Sequence, residues 1–346
     1  MRLGAVGDVV RTLPAASALR SAYAGAHLTW LVEPASRSAV EGQPWVDEVL
    51  EFPRGEIERA LRRGRLLTAA RALFHFAGAL RRRRFDLVID FHAILKTGLL
   101  AWVSGAPRRA SYASPFAREA AWLFANARAR IAPRRISRFE RNRGLVDFVA
   151  PGAAASPAPF RVDAAARARM ADALGAGAPS VAIHPGTSAG TPHKRWHAAG
   201  YAEVARRLRD ATGTPSIVLF GPAPSERALA ETIVAAADGA ARLAPATASL
   251  GELAALLAAC RLYVGADTGP MHVASLVGTP VVQILGPTDP IENAPYAGTP
   301  SRTVREPVAC SPCRRGCRTA TCLRLVTPDS VFAAARELLA LPARGR

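Results

Sequence analysis

The chain has 346 residues, of which 50% are hydrophobic and 21% are charged. That composition is typical of a folded globular protein and excludes a chain that is mostly disordered or fibrous. Lysine and arginine together number 45 against 27 aspartates and glutamates, which leaves a formal net charge of +18. This excess favours anionic partners such as nucleotides, phosphates or acidic lipids, without choosing among them.

The start of the chain, MRLGAVGD, lacks the apolar stretch of roughly 7–15 residues that a signal peptide contains. No window reaches the roughly 18 uncharged apolar residues of a membrane-spanning helix, and the best candidate, 98–106, is far too short. We therefore expect a cytoplasmic protein that meets a membrane only from its side.

In the first half of the chain, short β-branched runs alternate with amphipathic stretches. We predict strands at 27–33 and 86–90, and helices at 10–23 and 65–84. Such alternation is typical of parallel strands with crossover helices, and so of a doubly wound α/β sheet. The segment 150–159, APGAAASPAP, interrupts both periodicities, and we place an inter-domain linker there.

The second half repeats the pattern. Its strands are predicted at 180–184, 216–220, 262–265 and 281–285, and its helices near 198–210, 224–238, 249–259 and 269–277. We expect two Rossmann-like domains, 1–155 and 156–346, whose strand ends share one ligand-binding cleft. We also allow for the final helix packing back on the N-terminal domain.

The first candidate site is the segment GDVVRTLP at 7–14, which follows a short apolar run and opens a helix. We predict Asp8 in the loop between strand and helix, where two interpretations stay open. As an N-cap, Asp8 would accept hydrogen bonds from the first amides of the helix. As a general base, it would take a proton from an attacking hydroxyl, because a helix N-terminus keeps a carboxylate ionised.

The second candidate site joins HPGT at 184–187 with HKRW at 193–196, at the end of a strand. The amides of a tight loop, the Thr187 hydroxyl and the Lys194 ammonium together suit a phosphate. In so cationic a chain, the alternative interpretation is a solvated basic loop.

The third candidate site is GADTGPMHVA at 265–274, where a strand leads through a loop into a helix. The helix N-terminus suits a diphosphate, and Gly269 allows close approach of the backbone. Asp267 is a candidate for binding sugar hydroxyls. His272 is either a further ligand-binding residue or a buried structural histidine.

Four of the five cysteines, Cys310, Cys313, Cys317 and Cys322, lie within thirteen residues. Four thiolates at this spacing could surround one tetrahedral Zn²⁺ ion. The alternative, which we favour, is a set of reduced thiols in a C-terminal loop. Cys260 ends an apolar helix and is predicted to lie in the core.

Taken together, the three candidate sites resemble glycosyltransferase family 9, the heptosyltransferases of lipopolysaccharide core synthesis. FGPAPSE at 220–226 and LGPTDP at 285–290 add to the match, which extends in order and spacing from residue 1 to about residue 340. The resemblance implies a GT-B architecture, with ADP-heptose on the C-terminal domain and an inner-core lipid A or related glycan acceptor on the N-terminal one. It also implies inverting transfer by single displacement without a cofactor, and no Asp-x-Asp metal motif occurs in the chain.

The resemblance extends to individual site residues. Asp8 matches the catalytic base, while Thr187 and Lys194 match phosphate-binding positions, with Lys194 offsetting charge on the departing ADP. The other matches are a ribose-binding position and the diphosphate- and sugar-binding loop: Glu226, Asp267, Thr268, Gly269 and His272.

Arginines crowd the N-terminal half, at 81–84, 108–109, 134–135 and 138. One interpretation is a solvated surface. The other is a face for the carboxylates and phosphates of the acceptor, in transient contact with the cytoplasmic leaflet of the inner membrane. The candidate acceptor-binding residues are Arg11, His92 and Lys96.

Three alternatives to this function stay open. The first is a family 9 transferase with a different nucleotide sugar or acceptor. The second is a non-catalytic nucleotide-sugar-binding relative, because only six residues precede Gly7 and the first strand is clipped or starts upstream. The third is nucleic-acid binding, which we do not expect because aromatic residues make up only 6% of the chain and no known binding motif occurs.

Overall fold

The computed structural model describes residues 1–153, 160–175, 181–188, 190–313, 317 and 319–340. The chain divides into two compact units, Met1–Arg161 (unit 1) and Val162–Arg346 (unit 2). The predicted linker at 150–159 falls largely outside the described residues, which end at 153 and resume at 160.

Unit 1 consists of short parallel strands and the helices that connect them. The strands are β1 (Thr29–Val32), β2 (Glu48–Glu51), β3 (Leu87–Ile89), β4 (Arg108–Tyr112) and β5 (Ala127–Ala129). The helices are α1 (Val6–Val10), α2 (Leu13–Ala22), α3 (Arg54–Arg62), α4 (Leu66–Arg82), α5 (Leu95–Val103) and α6 (Arg138–Val149).

These strands form two parallel sheets, β1-β2 and β3-β4-β5. The first residues of the chain run between them in place of a regular strand. The amide of Glu33 donates to the Leu3 carbonyl at 2.9 Å, and the amide of Phe91 donates to the Met1 carbonyl at 3.1 Å. Leu3 is fully buried. The chain start therefore links the carboxyl ends of both sheets, which is where it leads into α1.

A cavity of about 570 Å³ opens in unit 1 beside the first residue of the chain. Its lining is largely apolar and includes Met1, Trp30, Trp45, Ile89 and Phe91. Since the predicted site residues do not line it, the cavity is separate from the candidate site.

Unit 2 is a doubly wound sheet with helices. Its strands are β6 (Val181–His184), β7 (Ser216–Val218), β8 (Ala241–Leu243), β9 (Leu262–Ala266), β10 (Val281–Ile284) and β11 (Ser301–Val304). Its helices are α7 (Ala164–Leu174), α8 (Ala198–Thr212), α9 (Pro224–Ala236), α10 (Leu250–Ala259), α11 (Gly269–Leu276), α12 (Thr321–Arg324) and α13 (Pro328–Leu339).

The sheet of unit 2 is parallel and has the strand order β11-β10-β9-β6-β7-β8. Strands β6 and β9 are neighbours in its middle, with His184 opposite Gly265 in the register. The loops after these two strands therefore start side by side, and they carry two of the three predicted motifs.

The last helix, α13, packs on the core of unit 2. Val331, Ala335 and Leu338 of α13 are buried in the same cluster as Val264 and Ile284 of the sheet. The apolar face of α13 thus packs within its own unit. Across the described ranges, each helix is too short or too polar to cross a bilayer.

Candidate functional site

Asp8 lies inside a helix, and its predicted position in a loop is wrong. It is the third residue of α1, which begins early because the amides of Asp8 and Val9 both donate to the Ala5 carbonyl. The N-cap of α1 is Ala5 and that of α2 is Thr12, so the N-cap interpretation of Asp8 is also wrong.

Three arginines surround the Asp8 carboxylate. Arg2 contacts Oδ2 at 2.5 Å, while Arg11 and Arg138 contact Oδ1 at 2.5 and 3.1 Å. Burial by itself would raise the pKa of Asp8, but the three guanidinium groups together hold that pKa well below its ordinary range. The sequence analysis did not identify Arg2, and it treated Arg138 only as part of a basic surface.

The three arginines differ in their freedom to leave Asp8. The side chain of Arg2 is 9% exposed and donates a further bond to the Phe91 carbonyl, and that of Arg11 is 8% exposed. The Arg138 side chain is 30% exposed and lies at the first position of α6. Arg138 is therefore the partner that a bound anion could most easily attract.

Helix α6 is fixed against the α1–α2 junction by a buried amide. Asn142 Nδ2 donates to the Arg11 carbonyl at 3.0 Å and to Thr12 Oγ1 at 3.1 Å, and its Oδ1 accepts from the Tyr112 hydroxyl at 2.7 Å. Because buried hydrogen bonds of this kind define one arrangement, Asn142 sets the register that brings Arg138 to Asp8.

A second buried carboxylate, Asp90, shapes the loop after β3. Its Oδ1 accepts from the amides of His92 and Ala93 at 2.9 and 3.1 Å, and burial raises its pKa. Burial, reinforced by the charge of Arg2, lowers the pKa of His92 to about 3, so its imidazole is neutral near pH 7. His92 is thus a neutral group at the edge of the Asp8 environment.

The predicted acceptor-binding residues have different partners but lie within electrostatic reach of one another. Arg11 contacts Asp8 directly, and the charges of Arg2 and Asp8 both act on His92. Lys96 donates to Glu33 Oε1 at 2.6 Å and lies 5.3 Å from the centre of the Phe52 ring, and its charge also acts on His92.

In unit 2, three predicted residues form one cluster at the carboxyl end of the sheet. Lys194 Nζ lies 2.9 Å from Asp267 Oδ2, and His272 Nε2 lies 3.4 Å from Asp267 Oδ1. Asp267 and His272 are buried, while the Lys194 side chain is 20% exposed. The cluster thus presents one partly accessible cation on two buried partners.

The residues beside this cluster add hydrogen-bonding groups. Thr187 accepts from Arg195 Nε at 3.0 Å through Oγ1, and Thr268 Oγ1 lies 3.3 Å from His184 Nδ1. Burial lowers the pKa of His184 to about 4, so this histidine is neutral near pH 7. The sequence analysis assigned no role to Arg195 or His184, although both stand within the quoted motifs.

Helix α11 begins with open geometry suited to an anion. Thr268 is its N-cap residue but makes no side-chain cap hydrogen bond, and residues 268–270 are only partly buried. The first amides of a helix carry partial positive charge and bind phosphate when they are accessible.

Glu226 lies against the loop after β6. A Cβ atom at Gly221 would stand 2.0 Å from Glu226 Oε2, and one at Gly186 would stand 3.6 Å from its Cδ. The two glycines therefore leave room for the carboxylate, which lies in the first turn of α9. A carboxylate at that place suits a pair of vicinal hydroxyls.

The cysteines do not form a metal site in the part of the chain that the structure describes. Cys260 is 4% exposed, which confirms its predicted place in the core. Cys310 and Cys317 are exposed and Cys322 is buried, and all are free thiols. Among the described residues, no group of three or more His, Cys, Asp or Glu side chains is placed to hold a metal ion.

Comparison with known proteins agrees with the motif pattern. Lipopolysaccharide heptosyltransferase 1 of Pseudomonas aeruginosa is 29% identical over 90% of this chain and 84% of its own length. A glycosyltransferase family 9 protein of Veillonella parvula superposes with a TM-score of 0.77 at 21% identity, covering 97% of this chain and 95% of the other. The E. coli heptosyltransferase WaaC, with ADP-2-deoxy-2-fluoro heptose, superposes with a TM-score of 0.72 at 23% identity, covering 97% and 98%.

These likenesses confirm the predicted GT-B class of fold. The model of the family described as glycosyltransferase family 9 (heptosyltransferase) matches residues 73–323. That match covers more than half of the chain and includes all of the predicted motifs of unit 2. The chain therefore belongs to glycosyltransferase family 9, the heptosyltransferases.

Proposed function

We propose that this protein transfers a heptose from ADP-heptose to an inner-core lipid A or related glycan acceptor, with inversion at the anomeric carbon. The observation that carries the proposal is the Lys194–Asp267–His272 cluster beside the start of α11, in a chain of this family. The P. aeruginosa relative is named for heptosyl transfer to lipopolysaccharide, and the E. coli structure contains an ADP-heptose analogue.

On the donor side, the diphosphate would bind the first amides of α11 at Thr268 and Gly269, together with the hydroxyl of Thr187. Thr187 is already held by Arg195, which adds a positive charge to the same place. Glu226 would accept hydrogen bonds from the ribose hydroxyls, for which the glycines beside it leave space.

Departure of ADP adds negative charge to the β-phosphate, and the cluster offers a group to balance it. Lys194 is the accessible cation, and Asp267 with His272 holds its ammonium in position. A cation and amide dipoles fixed before the reaction stabilise developing charge without reorganising. Chemistry of this kind requires no cofactor.

On the acceptor side, Asp8 would remove the proton of the attacking hydroxyl. A carboxylate with three arginine partners is a weak base, because each guanidinium favours its ionised form. We propose that carboxylate or phosphate groups of the acceptor attract Arg138 and so restore basicity to Asp8. Arg11 and His92 would contact the same acceptor, and Lys96 would do so on exchange from Glu33.

We further propose that the protein works in the cytoplasm and contacts the inner membrane transiently while it takes a lipid-linked acceptor. The charge of +18 and the lack of a spanning helix among the described residues fit that location.

The experiment that tests the donor assignment is calorimetric binding of ADP, UDP and GDP to the purified protein. We expect selective ADP binding that weakens about tenfold or more in Lys194→Ala, because one charge-assisted contact is lost. Lys96→Ala removes a lysine from unit 1 and is the matched control, with unchanged ADP affinity. Preference for UDP or GDP would overturn the donor assignment, and transfer from synthetic ADP-heptose tests the reaction itself.

A further inference from the structure

One surface of unit 1 combines exposed apolar side chains with dense positive charge. It consists of the turn between α3 and α4 and the outward face of α4, residues 61–75, and we call it the α3–α4 surface. Leu67 is 88% exposed, Phe74 is 78% exposed and Leu66 is 67% exposed. Side chains of this size are rarely left so open together on one surface unless it meets a partner.

The placement of these residues follows helical geometry. Leu67, Arg71 and Phe74 are spaced by four and three residues, so they share one face of α4. Phe76 and Leu80 lie on the opposite face and are buried in the core of unit 1. Helix α4 thus has one apolar face that is buried in the core of unit 1 and a second, outward face that stays exposed.

The charge around this second face has one sign. Between Arg59 and Arg84 the sequence contains nine arginines and no aspartate or glutamate. Arg62, Arg63, Arg65 and Arg71 are exposed. Within the described ranges, none of these four arginines forms an ion pair, whereas Arg83 pairs with Glu48.

We propose that the α3–α4 surface docks on an anionic lipid membrane. Leu66, Leu67 and Phe74 would enter the boundary between headgroups and acyl chains, while the arginines beside them pair with lipid phosphates. A second copy of the chain is disfavoured as the occupant, because a twofold interface would bring the same unpaired arginines together. A lipid surface supplies both an apolar layer and the opposite charge.

This docking surface rests on the membrane contact proposed above and assigns that contact to particular residues, whereas the donor chemistry is independent of it. It shares no residue with the Asp8 environment or with the Lys194–Asp267–His272 cluster of unit 2, which we call the donor cluster. A membrane contact made here would bring a lipid-linked acceptor to unit 1.

The test is co-sedimentation of the full chain with vesicles of phosphatidylglycerol and phosphatidylethanolamine, compared with phosphatidylcholine alone. We expect binding to the anionic vesicles, and a loss of about tenfold or more in the double variant Leu67→Glu, Phe74→Glu, because apolar insertion is replaced by repulsion. Leu325→Glu is the matched control, since Leu325 is 50% exposed in unit 2, and we expect it to bind as the wild type does.

A second pair of variants separates charge from apolar insertion. Arg63→Gln with Arg71→Gln should lower binding to anionic vesicles about tenfold or more, because each arginine near a charged membrane contributes to attraction. Circular dichroism and the Tm establish that each variant is folded, and ADP binding reports the donor site independently.

Several results would overturn the proposal. These are wild-type protein that stays in the supernatant, equal binding to both kinds of vesicle, and undiminished binding of the Leu67→Glu, Phe74→Glu variant. A wild-type dimer in light scattering would also overturn the proposal if the Leu67→Glu, Phe74→Glu variant dissociates it and leaves vesicle binding unchanged. Intact ADP binding alongside any of these results would leave the proposed donor site standing.

Discussion

At the scale of single residues, the Asp8 carboxylate contributes to the stability of the fold and is also the proposed general base. Its three arginine partners include two that are almost fully buried, Arg2 and Arg11. A buried charge left without its partner costs several kilocalories per mole, so Asp8 has a structural role whatever chemistry it performs.

Asp8→Asn should therefore lower the free energy of unfolding by about 3 kcal/mol at pH 7, as expected when a buried ion pair loses one member. The folded-state pKa of Asp8 is lower than its unfolded value, so the stabilisation is complete above the unfolded pKa. It is lost progressively as the pH falls below that value toward the folded-state pKa. Urea unfolding of both proteins at pH 7 and pH 3 should show a smaller difference at pH 3.

The matched control for this measurement is Asp47→Asn, which removes a solvent-exposed partner of Arg20. It should destabilise the protein much less than Asp8→Asn does. An equal effect of the two variants would mean that burial of the Asp8 cluster contributes nothing.

Arg138 gives a second prediction, because its bond to Asp8 is the most exposed of the three. If acceptor anions draw Arg138 away from Asp8, Arg138→Ala should raise the acceptor KM about tenfold, the usual effect of losing one charge-assisted contact. The donor KM should not change. Arg143→Ala is the control on the same helix, since Arg143 pairs with Glu140 at the surface. A donor KM that rises equally would contradict the assignment.

At the scale of secondary-structure elements, the donor cluster depends on the contact between β6 and β9. Gly265 permits it, because a Cβ atom there would lie 2.7 Å from the backbone carbonyl of His184. That carbonyl belongs to a central strand and cannot move without shifting the start of the 184–187 loop.

Gly265→Ala should accordingly lower the free energy of unfolding by about 2 kcal/mol, within the usual range for inserting a methyl group into a filled core. Gly251→Ala is the control, since a Cβ at 251 meets only Ser249 Oγ at 3.6 Å and alanine is a better helix former than glycine in the first turn of α10. Guanidinium unfolding should show opposite signs for the two changes. An unchanged free energy of unfolding in Gly265→Ala would mean that the strands can separate without cost.

The elements show which parts of the fold follow from local pattern. Predicted strands and helices with strong periodicity are confirmed, including α4 at Leu66–Arg82 and β10 at Val281–Ile284. The weak patterns were missed: β2 is the half-buried EVLE at Glu48–Glu51, and it is a strand only because it pairs with β1. Tertiary pairing decides short segments of this kind, and periodicity does not.

The same contrast between local pattern and tertiary contact applies to the candidate site. Motifs in unit 2 placed Lys194, Asp267 and His272 in segments that follow two predicted strands, and these three side chains do meet. Near Asp8, local sequence predicted a loop, whereas the amides of Asp8 and Val9 start a helix on the Ala5 carbonyl. Arg138 is 130 residues away in sequence, so no local pattern could predict its contact with Asp8.

At the scale of the whole molecule, positive charge is distributed unequally between the two units. Residues 1–161 contain 26 lysines and arginines against 13 acids, a balance of +13, while residues 162–346 contain 19 against 14, a balance of +5. Unit 1 thus carries most of the charge and also the α3–α4 surface. The donor cluster lies in the less charged unit and uses a few fixed groups.

The two kinds of anion binding should therefore respond differently to salt. Raising NaCl from about 50 to about 500 mM shortens the Debye length from about 14 to about 4 Å, which screens charges spread over an exposed surface far more than buried contacts. We expect binding to anionic vesicles to fall at least about tenfold, because it depends on many exposed arginines. ADP affinity should fall only a few-fold, because in the proposed donor site Lys194 and the α11 amides contact the ligand directly. A parallel loss of both would place ADP on the diffuse charge of the protein instead of the donor cluster.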